Sequence, residues 1–598
     1  MPRLSCLPPA ILPLALAVTL AASAPAQAPQ NLGDYEDSRG LPDTPAGKLA
    51  QEMLDVLNSG DRERARQFVS LKFTPAFRDA FAMEEHLAAF LGVFHQSQGL
   101  ELFGVRHYEK QQRGDEMVVI VRNKLTQAWE AVVLTVEPTA PHLISRLMFS
   151  PARPPKAYEE SAPLTETELV REMRTYVERL AARDAFSGAV LLAKDGRVLF
   201  KAAYGLASKR FNVPNKIDTK FNLGSMNKMF TATAIALLVE RGKLSFDDPI
   251  GKYLDESWLK REALDKITIH HLLTHTSGLG NYFNDEFWNA SRMLYRDLDD
   301  YKPLIRDDQP AFEPGTSWSY SNTGMFLAGV VIEKVAGKSY FDFVRENIFK
   351  PAGMINTDSY EMDKPTPNLA VGYSRTDDGW ENNLYKHVIK GGPAGGGFST
   401  VEDLLRFDQA MRAGKIVGRK MLDELWTTKP ESNSPEYGYG FGVFGVTGDR
   451  IVGHSGGFPG ISSELSMYLD RGYTIAVMSN YDNGAQIVAE KCADLLNRVV
   501  PPKTEHGQTR EQPTYRSGVK LRSAGEVLQV TGVIPDSAAN DAGLEAGDVI
   551  LKVNGKSPKR VGPNKIRELF GSPAPVALEI RRGDNTFRVK MTPKPAKK

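Results

Sequence analysis

FNLGSMNKMF, residues 221–230, decides how the largest part of this chain is read. It sets Ser225 three positions before Lys228 at the head of an apolar run, so on a helix the lysine lies one turn later on the same face. A serine hydroxyl is a weak nucleophile until a neighbouring base takes its proton. The helix N-terminus adds partial positive charge and free N–H groups beneath it. A lysine, with an ordinary pKa near 10.4, must be buried or set beside other cations before it serves as a base near neutral pH. Alone, Ser-x-x-Lys also describes an ordinary helix start, and the chain repeats the spacing at Ser517 and Lys520.

Partners have to come from elsewhere. Tyr-x-Asn occurs at Tyr282, Tyr320 and Tyr481, and a basic residue before glycine occurs at Lys390-Gly391-Gly392 and at His454-Ser455-Gly456. Context separates them. PGTSWSYSNTGMFLAGVVIEKVAG puts Tyr320 and Asn322 just before a helix, where a loop presents both to a cleft. Tyr282 lies in a Gly- and Asn-rich loop, and Tyr481 follows the exit of a strand. RIVGHSGGFPG places His454 at a strand end leading into a hairpin, whereas Lys390 precedes GGPAGGG, which reads as a mobile cleft loop. His271 and His275 are four apart, but Leu272 stands where a zinc helix carries its glutamate, so no metal or other cofactor is expected.

Ser225-x-x-Lys228, Tyr320-Ser321-Asn322 and His454-Ser455-Gly456, in that order, resemble the three motifs of the class C β-lactamase family. That family includes penicillin-binding D-alanyl-D-alanine carboxypeptidases, D-amino-acid amidases and esterases. LVERGKLSFDDPIGKYL, ITIHHLLTHTSGL, GGFSTVEDLLRF and YGYGFGVF extend the resemblance over residues 165–500. It implies Ser225 as nucleophile, Lys228 as its hydrogen-bonded partner, Tyr320 as proton relay and Asn322 as an orienting group. His454 takes the position where many β-lactamases carry lysine, Gly456 keeps the strand edge open, and the N–H groups of Ser225 and Gly457 form an oxyanion hole. The base stays open between Lys228 and Tyr320. Histidine is mostly neutral above about pH 6.5, which tilts the expected substrate toward esters, D-amino-acid amides or D-Ala-D-Ala-type peptides. The alternatives are a true β-lactamase, or an inactive binding or scaffold relative that docks partners through the cleft and the groove of a C-terminal PDZ-like segment.

The rest of the chain frames this region. At 598 residues it exceeds one core, and 41% hydrophobic with 25% charged residues describes a globular protein. A net charge of +1 without a basic run gives no reason to expect nucleic acid. Arg3, ILPLALAVTLAA and ASAPAQA read as a signal peptide over residues 1–28, so the mature chain is expected in a bacterial periplasm or outside the cell, without a transmembrane segment. Cys6 leaves with it, and Cys492 alone forms no internal disulfide.

Residues 40–150 carry helical patterns followed by four alternating strands, an α+β unit whose order resembles nuclear-transport-factor-like cone folds. Proline-rich 151–164 and 501–513 read as linkers. Residues 165–500 open and close with hairpins, implying an antiparallel sheet assembled from both ends of the region and covered by helices, the β-lactamase/transpeptidase-like α/β sandwich. Residues 514–594 resemble a bacterial PDZ domain, with Gly547-Asp548 and Asn554-Gly555 as turns. That resemblance makes the backbone of Gly518, Val519, Lys520 and Leu521 a loop for a peptide or protein C-terminus, and makes Ser517-x-x-Lys520 a chance match. The whole reads as a multidomain α+β serine hydrolase acting on a small-molecule or peptide substrate.

Overall fold

The computed structural model describes residues 34–595 apart from 109–115, 159–162, 377–378, 430–435, 447–448, 500–514, 518, 525–526, 534–536, 546, 559–565, 567–568, 571–573, 583–584 and 593. The expected signal peptide, the second linker and Gly518 lie outside the described residues. No described helix is long and apolar enough to cross a membrane.

The N-terminal region is a five-stranded antiparallel sheet with helices on one face. Its elements are β1 (Tyr35–Arg39), α1 (Pro45–Ser59), α2 (Arg62–Lys72), α3 (Pro75–Arg78), α4 (Met83–Ser97), β2 (Leu100–Tyr108), β3 (Glu116–Asn123), β4 (Trp129–Val136) and β5 (Ile144–Pro151). Thr44 caps α1 by accepting from the Gly47 N–H, with Pro45 in the first turn and Gly60 left-handed at the end. The sheet starts before residue 40, because β1 pairs along β2 and Asp37 receives two bonds from the buried Arg106 (2.8 and 2.9 Å). YEDSR has no apolar alternation, so nothing in it announced a strand. The first linker is also less free than its prolines suggested. Tyr158 packs on Trp129 and Phe103, and the Pro154 carbonyl accepts from the Tyr35 hydroxyl, so 151–158 lies on the outer face of the sheet.

The next region is a three-layer sandwich. It runs from α5 (Glu166–Ala182) through β6 (Gly188–Lys194), β7 (Arg197–Tyr204), α6 (Asn227–Glu240), α7 (Asn322–Ala336) and α8 (Val401–Arg412). It closes with β8 (Gly442–Val446), β9 (Asp449–Phe458), β10 (Ile461–Tyr468), β11 (Tyr473–Ser479) and α9 (Gly484–Asn497). The sheet order is β8-β9-β10-β11-β6-β7, all antiparallel, so strands from the two ends of the region meet where β11 pairs with β6. Asp195 and Gly196 both have positive φ, the twist that a two-residue hairpin needs. Alternate residues divide the core. Ala189, Leu191 and Ala193 face α6, α7 and α8, while Val190 and Leu192 face α5 and α9, where Cys492 is buried and free. Each fully buried aliphatic chain contributes about 1.5–3 kcal/mol. α6 is apolar all round and buried over nearly its whole length, so a polar side chain on it is held away from bulk water.

The C-terminal region is a second five-stranded antiparallel sheet of β12 (Val519–Ala524), β13 (Val527–Val533), β14 (Val549–Val553), β15 (Val576–Arg582) and β16 (Asn585–Met591). Val519, Lys520 and Leu521 form the start of β12, paired with Val533, Gly532 and Val530 across a bulge, and the Ser517 carbonyl accepts from Ala539. Asp548 is buried and held by Arg582 at 2.7 and 2.9 Å, while Asn554 and Gly555 turn at positive φ.

Candidate active site

Ser225 sits at a junction built by close backbone contacts. Phe221–Asn222 pairs with Phe398–Ser399, and Gly224 turns at φ 50 into a 3₁₀ turn that runs into α6. Lys228 follows in the first turn of α6 with no exposed surface. Its Nζ has three neighbours, the Ala394 carbonyl at 2.6 Å, Asn322 Oδ1 at 2.8 Å and Ser225 Oγ at 3.1 Å. Burial holds this amine well below its ordinary pKa, so it is driven toward the neutral form. A neutral amine has two N–H groups and one lone pair. The Ala394 carbonyl only accepts, and Asn322 presents its oxygen because its Nδ2 donates to Asn281 Oδ1 (3.3 Å). With both N–H groups so placed, the lone pair is left for the serine hydroxyl.

Tyr320 and Asn322 arrive on the N-terminus of α7. Ser321 caps that helix, its Oγ accepting from the Gly324 N–H at 2.8 Å and donating to the Gly280 carbonyl at 3.0 Å. The Tyr320 ring lies 4.8 Å from Lys228 Nζ, with its hydroxyl beside Ser225. Desolvation raises its pKa far above the usual value, so the phenol keeps its proton at neutral pH. The other two tyrosines are elsewhere. Tyr282 is in the core against Tyr301 and Phe326, and the Tyr481 hydroxyl donates to Asp184. Lys390 is not at the serine either; its Nζ lies over the Phe341 ring at 3.7 Å.

His454, Ser455, Gly456 and Gly457 lie on β9. Its neighbour β8 pairs only as far as Gly453, so residues 454–458 have β10 on one side and an open edge on the other. A Cβ on Gly224 would lie 2.9 Å from the Gly457 nitrogen, which puts this edge against the Ser225 turn. Gly456 is required by the same approach, since a Cβ there would meet the Leu223 carbonyl oxygen at 2.0 Å and Ser463 Oγ at 2.3 Å. Gly456→Ala is therefore expected to cost about 1–3 kcal/mol of stability and to push the edge off the turn. Unfolding midpoint and turnover should fall together; an unchanged kcat/KM would show that the edge has no part in the chemistry.

The glycine loop at 391–397 corrects the expectation of mobility. It is largely buried and strapped to α6, with the Gly392 carbonyl accepting from Asn227 and the Pro393 carbonyl from Thr231, both at 2.7 Å. The glycines are there because backbone meets backbone. A Cβ on Gly391 would fall 2.0 Å from the Gly396 carbonyl carbon. His271 and His275 also part company: His271 Nδ1 accepts from the Thr268 N–H, and His275 Nδ1 from the Ser321 N–H.

Four contributors escaped the sequence reading, Ala394, Asn281, His275 and Tyr437. The Tyr437 hydroxyl lies 2.8 Å from His454 Nε2, and His454 Nδ1 lies 2.5 Å from the Ser455 carbonyl. A carbonyl only accepts, so Nδ1 carries the proton and Nε2 receives the phenol. Desolvation, with Lys228 nearby, pushes the His454 pKa down to about 4, and burial beside Lys228 and His454 lowers that of His275 as well. At neutral pH the cleft thus has neutral imidazoles and neutral phenols around an amine that burial drives toward its neutral form. Beside the open edge, Phe458 stacks on Trp288 (centroids 6.0 Å, 10°) and meets Phe283 at a tilt (5.7 Å, 41°), a partly exposed aromatic wall.

A family model described as Beta-lactamase matches residues 173–493, and one described as PDZ domain matches residues 529–582. Penicillin-binding protein 4* of Bacillus subtilis (strain 168) is 29% identical over 440 residues, spanning 70% of this chain and 95% of that protein. Esterase EstB of Burkholderia gladioli is 28% identical over 302 residues, spanning 44% of this chain and 76% of EstB. Among solved structures, a penicillin-binding protein from Bacillus halodurans aligns at 31% identity and TM-score 0.49, over 54% of this chain and 99% of that one.

Proposed function

The chain belongs to the β-lactamase family of serine hydrolases, and on that premise we propose that it is an exported enzyme cleaving esters and D-aminoacyl amides or peptides through a Ser225 acyl-enzyme. The observation that carries the chemistry is the hydrogen-bond count at Lys228. Two acceptors take its N–H groups, and the lone pair faces the nucleophile. Lys228 takes the Ser225 proton as Oγ attacks the carbonyl carbon. The oxyanion forms between the N–H groups of Ser225 and Gly457. Tyr320, protonated, gives its hydrogen to the departing oxygen or nitrogen, and the Lys228 ammonium returns a proton to the phenolate. Water then attacks the acyl carbon by the same route in reverse. The relatives include proteins named as an esterase and as penicillin-binding proteins, so both acyl classes are within the family's range. The PDZ domain adds a groove for an extended peptide or a protein C-terminus.

Neutral His454 sets the order of substrates. β-Lactams and D-Ala-D-Ala peptides carry a free carboxylate, and a histidine with both nitrogens occupied and no charge offers it no ion pair. The aromatic wall at Phe283, Trp288 and Phe458 suits an apolar group beside the scissile bond. The test is kcat/KM for a butyryl ester, a D-amino-acid amide, a D-Ala-D-Ala peptide and a chromogenic cephalosporin on one preparation. The ester or the amide is expected to lead. A cephalosporin value above all three others would make the protein a β-lactamase instead.

A further inference from the structure

His275 stands at φ 60 and is wholly buried. A residue with a Cβ in the left-handed region costs about 1–2 kcal/mol, so contacts must hold it there. They bracket one segment. The His275 carbonyl accepts from the Ser319 N–H at 2.9 Å, and its Nδ1 accepts from the Ser321 N–H at 3.1 Å. Tyr320 lies between those two anchors. The imidazole also lies between two phenol rings, with its centroid 4.4 Å from Tyr320 and 4.8 Å from Tyr437, and Tyr437 in turn donates to His454. Accepting at Nδ1 places the ring proton on Nε2, and Nε2 has no hydrogen-bond partner.

We propose that His275 is a positioning residue, a neutral imidazole that clamps residues 319–321 and fixes the Tyr320 phenol against Ser225. The proposal rests on the reading of Tyr320 as the proton carrier. Packing alone does not account for it. An apolar ring of that size would fill the same space without burying Nε2, but it would orphan the Ser321 N–H. Ser321 is also the cap of α7, so its backbone sets the register of both Tyr320 and Asn322. A shift of about 1 Å in a reacting group costs roughly 10²-fold in rate.

Two variants isolate the clamp. His275→Gly keeps the positive φ at no steric cost and removes the ring. His275→Asn keeps a residue tolerant of positive φ and offers Oδ1 where Nδ1 accepted. Glycine is expected to lower kcat by roughly 10²-fold with KM within about threefold, while asparagine returns kcat to within about threefold of the wild type. In a Tyr320→Phe background the glycine change should cost less than about threefold, because the group it positions is already gone. An equal loss in both backgrounds, or asparagine as poor as glycine, overturns the clamp. Wild-type labelling by a fluorophosphonate, run in parallel, separates the two readings. Labelling with kcat insensitive to His275 overturns this proposal alone, and no labelling overturns the Ser225 reading and this proposal with it.

Discussion

Ser225→Ala is expected to lower kcat on the best substrate by at least roughly 10⁴-fold while the protein stays folded. The size follows from the division of labour at the site. In the proposed mechanism Lys228 and Tyr320 move protons, and the strand edge at Gly457 receives negative charge, but only the Ser225 oxygen forms the bond to the acyl group. Without it, water would have to enter beside a buried amine whose lone pair has lost its partner. The structural cost is small. Ser225 is partly exposed at the start of α6, and its Oγ meets only Lys228 and Tyr320 among the side chains described, so losing it should change stability by about 1 kcal/mol or less. Fluorophosphonate labelling followed by intact-mass measurement gives the check. One adduct on the wild type and none on the variant is expected; an adduct on both, or turnover within tenfold of the wild type, would place the nucleophile elsewhere.

Why these residues were readable and others were not has a physical pattern. Ser225, Lys228, Tyr320 and His454 bear hydroxyl, amine and imidazole groups at short fixed spacings, and each sits at a helix start or strand edge that local sequence announces. Ser321 is the clearest case, a hydroxyl before an apolar helix that proved to be its cap. The hairpins at both ends of the sandwich were marked by turn residues such as Asp195-Gly196. The PDZ turns at Gly547-Asp548 and Asn554-Gly555 were marked in the same way. Ala394 was not readable because it acts through a backbone carbonyl, which every residue has. The glycine loop misled for a related reason. Glycine runs permit motion, but they also permit backbone to approach backbone, and only the fold shows which use is made. His275 lies 46 positions from Ser321, and its work depends on a left-handed φ that no local pattern encodes. Tyr437 stood in a stretch recognised as similar to the family, yet its partner His454 is joined to it only by the fold. β1 was missed because its pairing depends on Arg106, nearly seventy residues away.

Lys228→Met tests the buried base through stability as well as rate. The apolar chain keeps the length of lysine and removes the amine, so kcat should fall by roughly 10²–10⁴-fold, the contribution of a positioned general base. Stability carries the sharper signature. The folded pKa of Lys228 lies well below the ordinary lysine value. Between that depressed pKa and about 10.4, the unfolded chain binds one proton more than the folded protein at this residue. Unfolding free energy from this group therefore rises with pH, by up to about 1.4 kcal/mol per unit, and levels off above the ordinary lysine value. At neutral pH the buried amine is a cost that the methionine variant does not bear, although the Ala394 carbonyl and Asn322 Oδ1 then lose a donor, at about 1–3 kcal/mol each. As pH rises toward about 9.5 the wild type recovers its cost and the variant does not, so the stability difference must move in favour of the wild type. His275 and His454 titrate below neutrality, and a series from about pH 7 upward avoids both. Unfolding midpoints of the two proteins across that series make the measurement, paired with the wild-type kcat/KM profile, which should rise and level off as Lys228 loses its proton. Parallel stability curves would mean that Lys228 is charged in the folded protein, and the base would then have to be sought at Tyr320.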